Sequence, residues 1–377
     1  KVDAGVMSMN HDANFDLTLT GAISADSYEA QFEGDVRNLD LMGLKMSPTM
    51  SKGSFAISGN GRMVPKQNII DADVKVTDLM WDMPDMSLST PQIDASLASN
   101  DSTMTVKLQN ESLNTILVAG CPLDSFTTRL TSTMALLDRN IAAKRIDIDS
   151  IQKSLPPFVL ELQSGRKSIL SGLLEPSKAS FNSLSLNMRN DSLMRMNGDA
   201  YGIAFGDTRI DTVKINAFQH GKYLVFRASM NNRPGTFDDF AHVTASGFIA
   251  NENLSVFVNQ SNIQNETGFK LGVNLAAADS VITLRMTPLK PVIGYKTWSI
   301  NPDNIISVNL LKKHIDANLN LTNGDSHLKI YTEHGGGEPE GQEDIIVNAS
   351  GIQLADWLSL SPFAPPVKGV AGADIRL

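Results

Sequence analysis

The 377-residue chain has a single cysteine, Cys121, which excludes an internal disulfide. Its absence leaves the compartment undecided, because many periplasmic proteins also lack disulfides. Cys121 itself reads as a small hydrophobe of no redox importance. Basic residues are also short: the net charge is -9 and no run of Lys or Arg occurs, which excludes a phosphate-tracking nucleic-acid surface. No stretch approaches the ~18 consecutive apolar residues of a membrane-spanning helix. The longest apolar run, "ILVAGC" at 116–121, is strand-sized. Aromatic residues make up only 6% of the chain, so any buried surface is mainly aliphatic. The chain starts at Lys1 without an initiator Met or a signal peptide, and it reads as a fragment or processed form.

What is present is alternation. In "IDANLNLTNGDSHLKI" (315–330), Ile315, Ala317, Leu319 and Leu321 alternate with polar residues up to an Asn-Gly turn. Leu328 and Ile330 then resume the pattern, which predicts a hairpin with one apolar face. "IDASLASNDSTMTVKL" (93–108), "SLSLNMRNDSLMRM" (183–196), "FIANENLSVFV" (248–258) and "VNLAAADSVITLRM" (273–286) follow the same plan. Irregular spacing excludes a solenoid repeat and points to a long antiparallel meander. Further alternating strands are predicted at Phe15–Ile23, Tyr28–Val36, Ser54–Met63, Ile70–Val76, Thr208–Ala217, Tyr223–Met230 and Ile345–Ile352.

One block departs from this period. Phe126, Leu130, Met134 and Leu137 recur at helical spacing, with Asp124 placed to cap the start. Shorter helices are predicted at Asp149–Leu155, stopped by Pro156-Pro157, and at Lys167–Leu174. The organisation is therefore β-repeats over 1–121, a helical insertion over 122–178 and β-repeats over 179–377, with short turns near 288–293 and 354–360.

Catalytic patterns are missing. "HGGGEPEGQED" (334–344) has glycines but no following Lys-Ser/Thr and acidic flanks, so it reads as a solvated loop and not a phosphate cradle. "IDIDS" (146–150) lacks the later Glu of a calcium loop and reads as a lead-in to a strand or helix. The six histidines have no partner at ligand spacing, no Gly-x-Ser-x-Gly occurs, and Asp238-Asp239 read as loop residues. No catalytic residue, metal site or cofactor is assigned, and the chain is not read as an enzyme. The chain has sixteen methionines, many of them, such as Met104, Met188, Met194, Met196 and Met286, on or near apolar strand faces. They serve either as core filler or as an adaptable surface.

The apolar faces need a cover. Stacked sandwiches, closed barrels and a curved sheet folded into a trough lined by an apolar ligand are all consistent with alternation. Low aromatic content and the lack of evenly sized blocks lean toward the trough.

From about residue 120 onward the chain also resembles the TamB proteins of the AsmA-like superfamily in their Bacteroidetes form. "LELQSGRKSILSGLLEPSKASFNSLSLNM" resembles that family's strand, Gly-containing helical turn and strand, although Ser168 stands where the family pattern has Asn. "TRIDTVKINAFQHGKYLVFRASMNN" resembles its Leu-Asp-x-Leu strand pair. "GYKTWSINPDNII", with Trp298, Asn301, Pro302 and Asn304, carries the most specific likeness. "IIVNASGIQLADWLSL" followed by "KGVAGADIRL" resembles the start of a next repeat. The resemblance implies a periplasmic β-trough of the translocation and assembly module, anchored in the inner membrane by an N-terminal helix outside this sequence. It implies phospholipid or another acyl-chain lipid as cargo, and an Omp85-type outer-membrane protein as a partner in the full-length context.

The expected fold is mainly β: an elongated antiparallel meander curled into a lipid-binding trough with a small helical insertion. Its expected function is a bridge-like lipid-transfer conduit carrying acyl chains between inner and outer membrane. The alternative is a structural or chaperone-like β-module that pairs its edge with outer-membrane protein strands during their assembly. The expected groove lining is Leu17, Leu19, Phe32, Ile93, Leu97, Val106, Leu184, Leu186, Leu254, Val256, Ala317, Leu319, Leu328 and Ile330. The rule behind it is that alternate side chains share a face.

Overall fold

A computed structural model describes residues 2–10, 13–40, 42, 52–83, 86–206, 208–235, 240–333, 344–358 and 367–377. The glycine-rich loop from 334 to 343 and Asp238-Asp239 lie outside the described residues.

The protein is mainly β, and every strand pairing among the described residues is antiparallel, mostly between chain neighbours. It divides into two compact units, Lys1–Met134 with Gln152–Arg209, and Ala135–Ile151 with Ile210–Leu377. In the first unit the meander runs through Val2–Asn10, Ala13–Ile23, Tyr28–Asp40, Lys52–Val64, Ile69–Met83, Met86–Ser99, Met104–Asn110 and Leu113–Ala119. After a helical excursion it continues through Phe158–Gly165, Ser183–Asn190 and Met194–Phe205. In the second unit it runs from Thr208–His220 through successive hairpins to His314–Asn323, Ser326–Glu333, Asp344–Gln353 and Val370–Arg376. Every alternating segment read from the sequence lies in one of these strands. The Asn-Gly hairpin forms as read: Asn323 pairs with Ser326 around Gly324, whose φ of 55° suits a residue without Cβ.

Four helices are described: α1 (Leu123–Ala142), α2 (Ile148–Ser154), α3 (Ile169–Leu174) and α4 (Leu354–Leu358). Three sequence expectations are corrected here. The block 122–178 is not one helical insertion, because Phe158–Gly165 is a full strand paired on both sides. Its alternation of Phe158, Leu160 and Leu162 with Val159, Glu161 and Gln163 is strand-like, but only eight residues long between Pro157 and α3. The turn expected at 288–293 is instead the far half of strand Val281–Ile293. Pro288 and Pro291 sit where the ladder to the preceding strand is interrupted between Lys270 and Gly272, so no ladder bond needs their missing N–H. Asp124 does not cap α1, which starts one residue earlier; the Leu123 amide donates to Ser99 Oγ instead.

The other helix starts follow their local chemistry. Asp147, in the acidic "IDIDS", accepts from the Ser150 amide at 3.0 Å and from its hydroxyl at 2.7 Å, which caps α2. Ser168 caps α3 by accepting from the Ser171 amide, so the serine at this position supports the turn. Cys121 is a free buried thiol beside Met104 and Ala119, and burial pushes its pKa up, as suits a small hydrophobe.

Candidate apolar face

Residues directly opposite each other in antiparallel strands point to the same side of the sheet, so the register converts alternation into a surface. In the first unit Leu19 faces Phe32, Phe32 faces Gly59, Gly59 faces Val74 and Val74 faces Ala95. The same row continues through Leu108, Thr115, Leu162, Leu186 and Gly198. A neighbouring row joins Leu97, Val106, Leu117, Leu160, Met188 and Met196. A third contains Leu17, Ile57, Val76, Ile93 and, further along, Leu184. At about 4.8 Å between strands this is an aliphatic surface on the order of 40 Å long.

The opposite face of the same strands is polar. Thr18, Glu33, Ser58, Lys75, Asp94, Gln109 and Asn114 form one row on it. A cavity of about 680 Å³ lies there, lined by Glu33, Lys75, Asp94 and Lys107 among others. On the apolar side a cavity of about 440 Å³ is lined by Leu19, Ile23, Tyr28, Ala30, Met63 and Ile70. Glycine gives this floor its depth. A Cβ on Gly59 would stand 2.5 Å from both the Asp73 carbonyl oxygen and Phe32 Cζ, so the Phe32 ring lies over the glycine.

All the expected lining residues of the first unit therefore share one face: Leu17, Leu19, Phe32, Ile93, Leu97, Val106, Leu184 and Leu186. Leu17 and Leu19 are exposed, at 36% and 39%, and the others are half-buried. Among the described residues α1 covers this face at one border, where Leu123 and Phe126 pack with Met104, Ala119 and Phe158, and α3 packs on it at Leu88, which is 7% exposed. The rest of the apolar stripe of α1 is not buried: Leu130 is 41% and Met134 63% exposed. The helix turns its polar side inward instead. Arg129 donates to the carbonyls of Lys153, Ser154 and Leu155, and Thr133 shares a hydrogen bond with Ser154.

In the second unit Leu254, Val256, Leu328 and Ile330 also lie on a continuous apolar face. Leu224, Ile249, Leu254, Leu275, Leu284, Ile306 and Ala317 form one row, and Phe226, Gly247, Val256, Val273 and Met286 another. Leu319 faces Ile330 and Leu321 faces Leu328. Here part of the face is closed by the chain itself. Ile293, Trp298, Ile300, Leu319, Leu321 and Ile352 form a core against which Trp357 of α4 packs. Trp298 and Trp357 meet edge to face, and Trp298 Nε1 donates to the Ile293 carbonyl. Ala317 and Leu319 are only 4% and 6% exposed. Ala317 is buried outside this core, and Leu319 is withdrawn from the accessible lining, because the core occupies the side where an apolar ligand would have lain. The residues that close it, Trp298 and Asn304 in "GYKTWSINPDNII", were marked in the sequence as a likeness and not as a cover. Asn304 ties that loop down by accepting from the Met286 amide and donating to the Met286 carbonyl.

Among the described residues no cluster of His, Cys, Asp or Glu could hold a metal ion. No helix among them is long and apolar enough to cross a membrane. Comparison of the chain with protein-family models, with curated proteins and with solved structures finds no match.

Proposed function

We propose that this chain carries the acyl chains of lipids along its apolar sheet face, as a segment of a periplasmic conduit between membranes. The observation that carries the reading is the aliphatic face of the first unit, continuous from strand to strand and largely uncovered by protein. Bringing a ~16-carbon chain into water costs on the order of 12 kcal/mol at ~0.8 kcal/mol per CH2. An aliphatic surface offsets most of that at every position, so displacement along it is nearly level and needs no catalytic group. The polar reverse face keeps the sheet wet on its other side. The resemblance to TamB and the AsmA-like superfamily points the same way, and it also supplies the membrane anchor and the Omp85-type partner of the full-length protein.

The test is photo-crosslinking in membrane-containing extracts, with the probe at Leu19 and at its neighbours Thr18 and Thr20. Lipid adducts at Leu19 and not at the threonines are expected. Equal labelling of the three, or adducts to outer-membrane protein strands in place of lipid, would refute the conduit in favour of the assembly module.

A further inference from the structure

The end of α1 forms a second kind of surface, within the second unit. Leu136, Arg139, Asn140, Ala143, Lys144 and Arg145 line a cavity of about 460 Å³ together with Glu252, Ala277 and Asp279. Glu252 and Asp279 sit in the tight turns that join strand His242–Ala250 to Asn253–Ser261 and Thr267–Ala278 to Val281–Ile293. The backbone fixes this assembly. Ile146 pairs with Asn251, and the Ala277 amide donates to the Glu252 carbonyl. Ala277 belongs to the apolar face, opposite Ile282, which in turn faces Val308. The cavity is thus a charged border at the rim of an aliphatic surface.

Three properties set it apart from an ordinary helix end. First, three of the last four carbonyls of α1 are already satisfied by backbone: Ala143, Lys144 and Arg145 donate to the carbonyls of Arg139, Ile141 and Asn140. Arg139 Nε donates to the Ala135 carbonyl at 3.3 Å, whereas Lys144 and Arg145 are not needed there as caps, although the helix dipole favours their charge. Second, three cations and two carboxylates share the cavity, yet among the described residues no ion pair joins them. Third, Asn140 is 5% exposed, and its Nδ2 has no hydrogen-bond partner. A buried donor left unpaired costs stability.

We propose that this cavity binds a zwitterionic phosphodiester: phosphoryl oxygens on Arg139, Lys144 and Arg145, and an ammonium group on Glu252 and Asp279. Resting on the conduit reading, the diester is the headgroup of a lipid whose acyl chains lie on the adjoining face at Ala277 and Ile282. The cations alone would suit any phosphate. The two carboxylates disfavour an anionic headgroup and favour one that ends in an amine.

The experiment uses the whole chain and three water-soluble probes: dihexanoyl phosphatidylethanolamine, dihexanoyl phosphatidylglycerol and glycerophosphoethanolamine, with affinities read by calorimetry. The ethanolamine lipid should bind about tenfold tighter than the glycerol lipid, as one charge-assisted contact supplies. E252Q/D279N should erase that preference. R139Q/K144N should weaken both lipids about tenfold; Asn suits the left-handed φ of 56° at Lys144, so this change keeps the turn. Lipid affinities blind to the amine and to both double variants, with Leu19 adducts intact, overturn the site and leave the conduit standing. Binding of glycerophosphoethanolamine without Leu19 adducts supports the zwitterion site as one for a free solute and removes the conduit. Failure of all three probes to bind overturns the site.

Discussion

The two units are built on one pattern and end differently. Both are antiparallel meanders with aliphatic residues in register on one side. Both also place a glycine under an aromatic ring, Gly59 opposite Phe32 in the first and Gly247 opposite Phe226 in the second. The second unit then spends a loop and a short helix on closing part of its face, with Trp298 and Trp357 sealing Leu319 and Leu321. The first unit sets α3 against Leu88 but leaves Leu17 and Leu19 exposed. Its helix α1 secures one border and leaves Leu130 and Met134 outward. Alternation decides which side chains share a face, whereas the cover is decided by residues distant in sequence. A closed core and a ligand-lined surface can therefore carry the same local code.

The sharpest way to break this comparison is to place one charge in each unit. Leu319→Asp would leave an unpaired carboxylate at a position only 6% exposed, inside the tryptophan-sealed core. Such a charge costs several kcal/mol unless it is protonated, enough to unfold a domain of ordinary stability. Leu19→Asp lies at a position 39% exposed and should cost at most about 1 kcal/mol while abolishing lipid adducts nearby. Thermal unfolding followed by near-ultraviolet dichroism of the tryptophans reads the first change, and crosslinking reads the second. Equal destabilisation by the two variants would erase the distinction between a closed and an uncovered face.

Much of the β architecture was legible because period two is a strong signal: Asn320 lies on the polar side while Leu319 and Leu321 lie on the other. The expected lining residues fall on the apolar sides of their units for the same reason. The burial of Ala317 and Leu319 was not legible. For Leu319 it depends on the core of Trp298 and Trp357, which come from separate parts of the chain and carry no mark in the alternation. The strand Phe158–Gly165 was submerged in a helical block because neighbouring prolines and helices dominated the local reading. The charged cavity at the end of α1 had no sequence signal, since Arg139, Glu252 and Asp279 meet only through the sheet turns.

Glycine substitutions sharpen what the units share. A Cβ on Gly247 would stand 1.8 Å from the Ser255 carbonyl oxygen, and one on Gly59 would stand 2.5 Å from that of Asp73. Both contacts are with backbone, so neither is relieved by a rotamer change. Gly247→Ala should cost about 3 kcal/mol and Gly59→Ala about 1–2 kcal/mol, in that order because of the closer approach. Gly61→Ala provides the baseline, since its nearest neighbour, the Asp71 carbonyl oxygen, is 3.8 Å away. Chemical denaturation of the three variants tests the order; a Gly61→Ala loss as large as the Gly247→Ala loss would contradict the close-approach account.

The smallest effect concerns polar caps, in which the units do not differ. The Ser150 hydroxyl and amide hold the Asp147 carboxyl below its usual value of 3.8, with a smaller contribution from the Arg145 charge. In the first unit the amides of Leu193 and Ser192 do the same for Asp191 in a hairpin turn. A carboxylate with a lowered native pKa contributes stability that is fully present above its unfolded pKa and lost as pH falls through the native one. Asp147→Ala should therefore cost about 1 kcal/mol at pH 7, the usual worth of a helix cap. The gap between Asp147→Ala and the native chain should narrow below pH 4. Asp147→Asn keeps the acceptor but not the charge, so it should match the native chain closely at pH 7 and lack the acid-dependent part of the loss. Amide exchange in α2 at pH 7 and pH 3 measures both; a gap between native chain and Asp147→Ala that widens in acid would show that the carboxylate is not the cap.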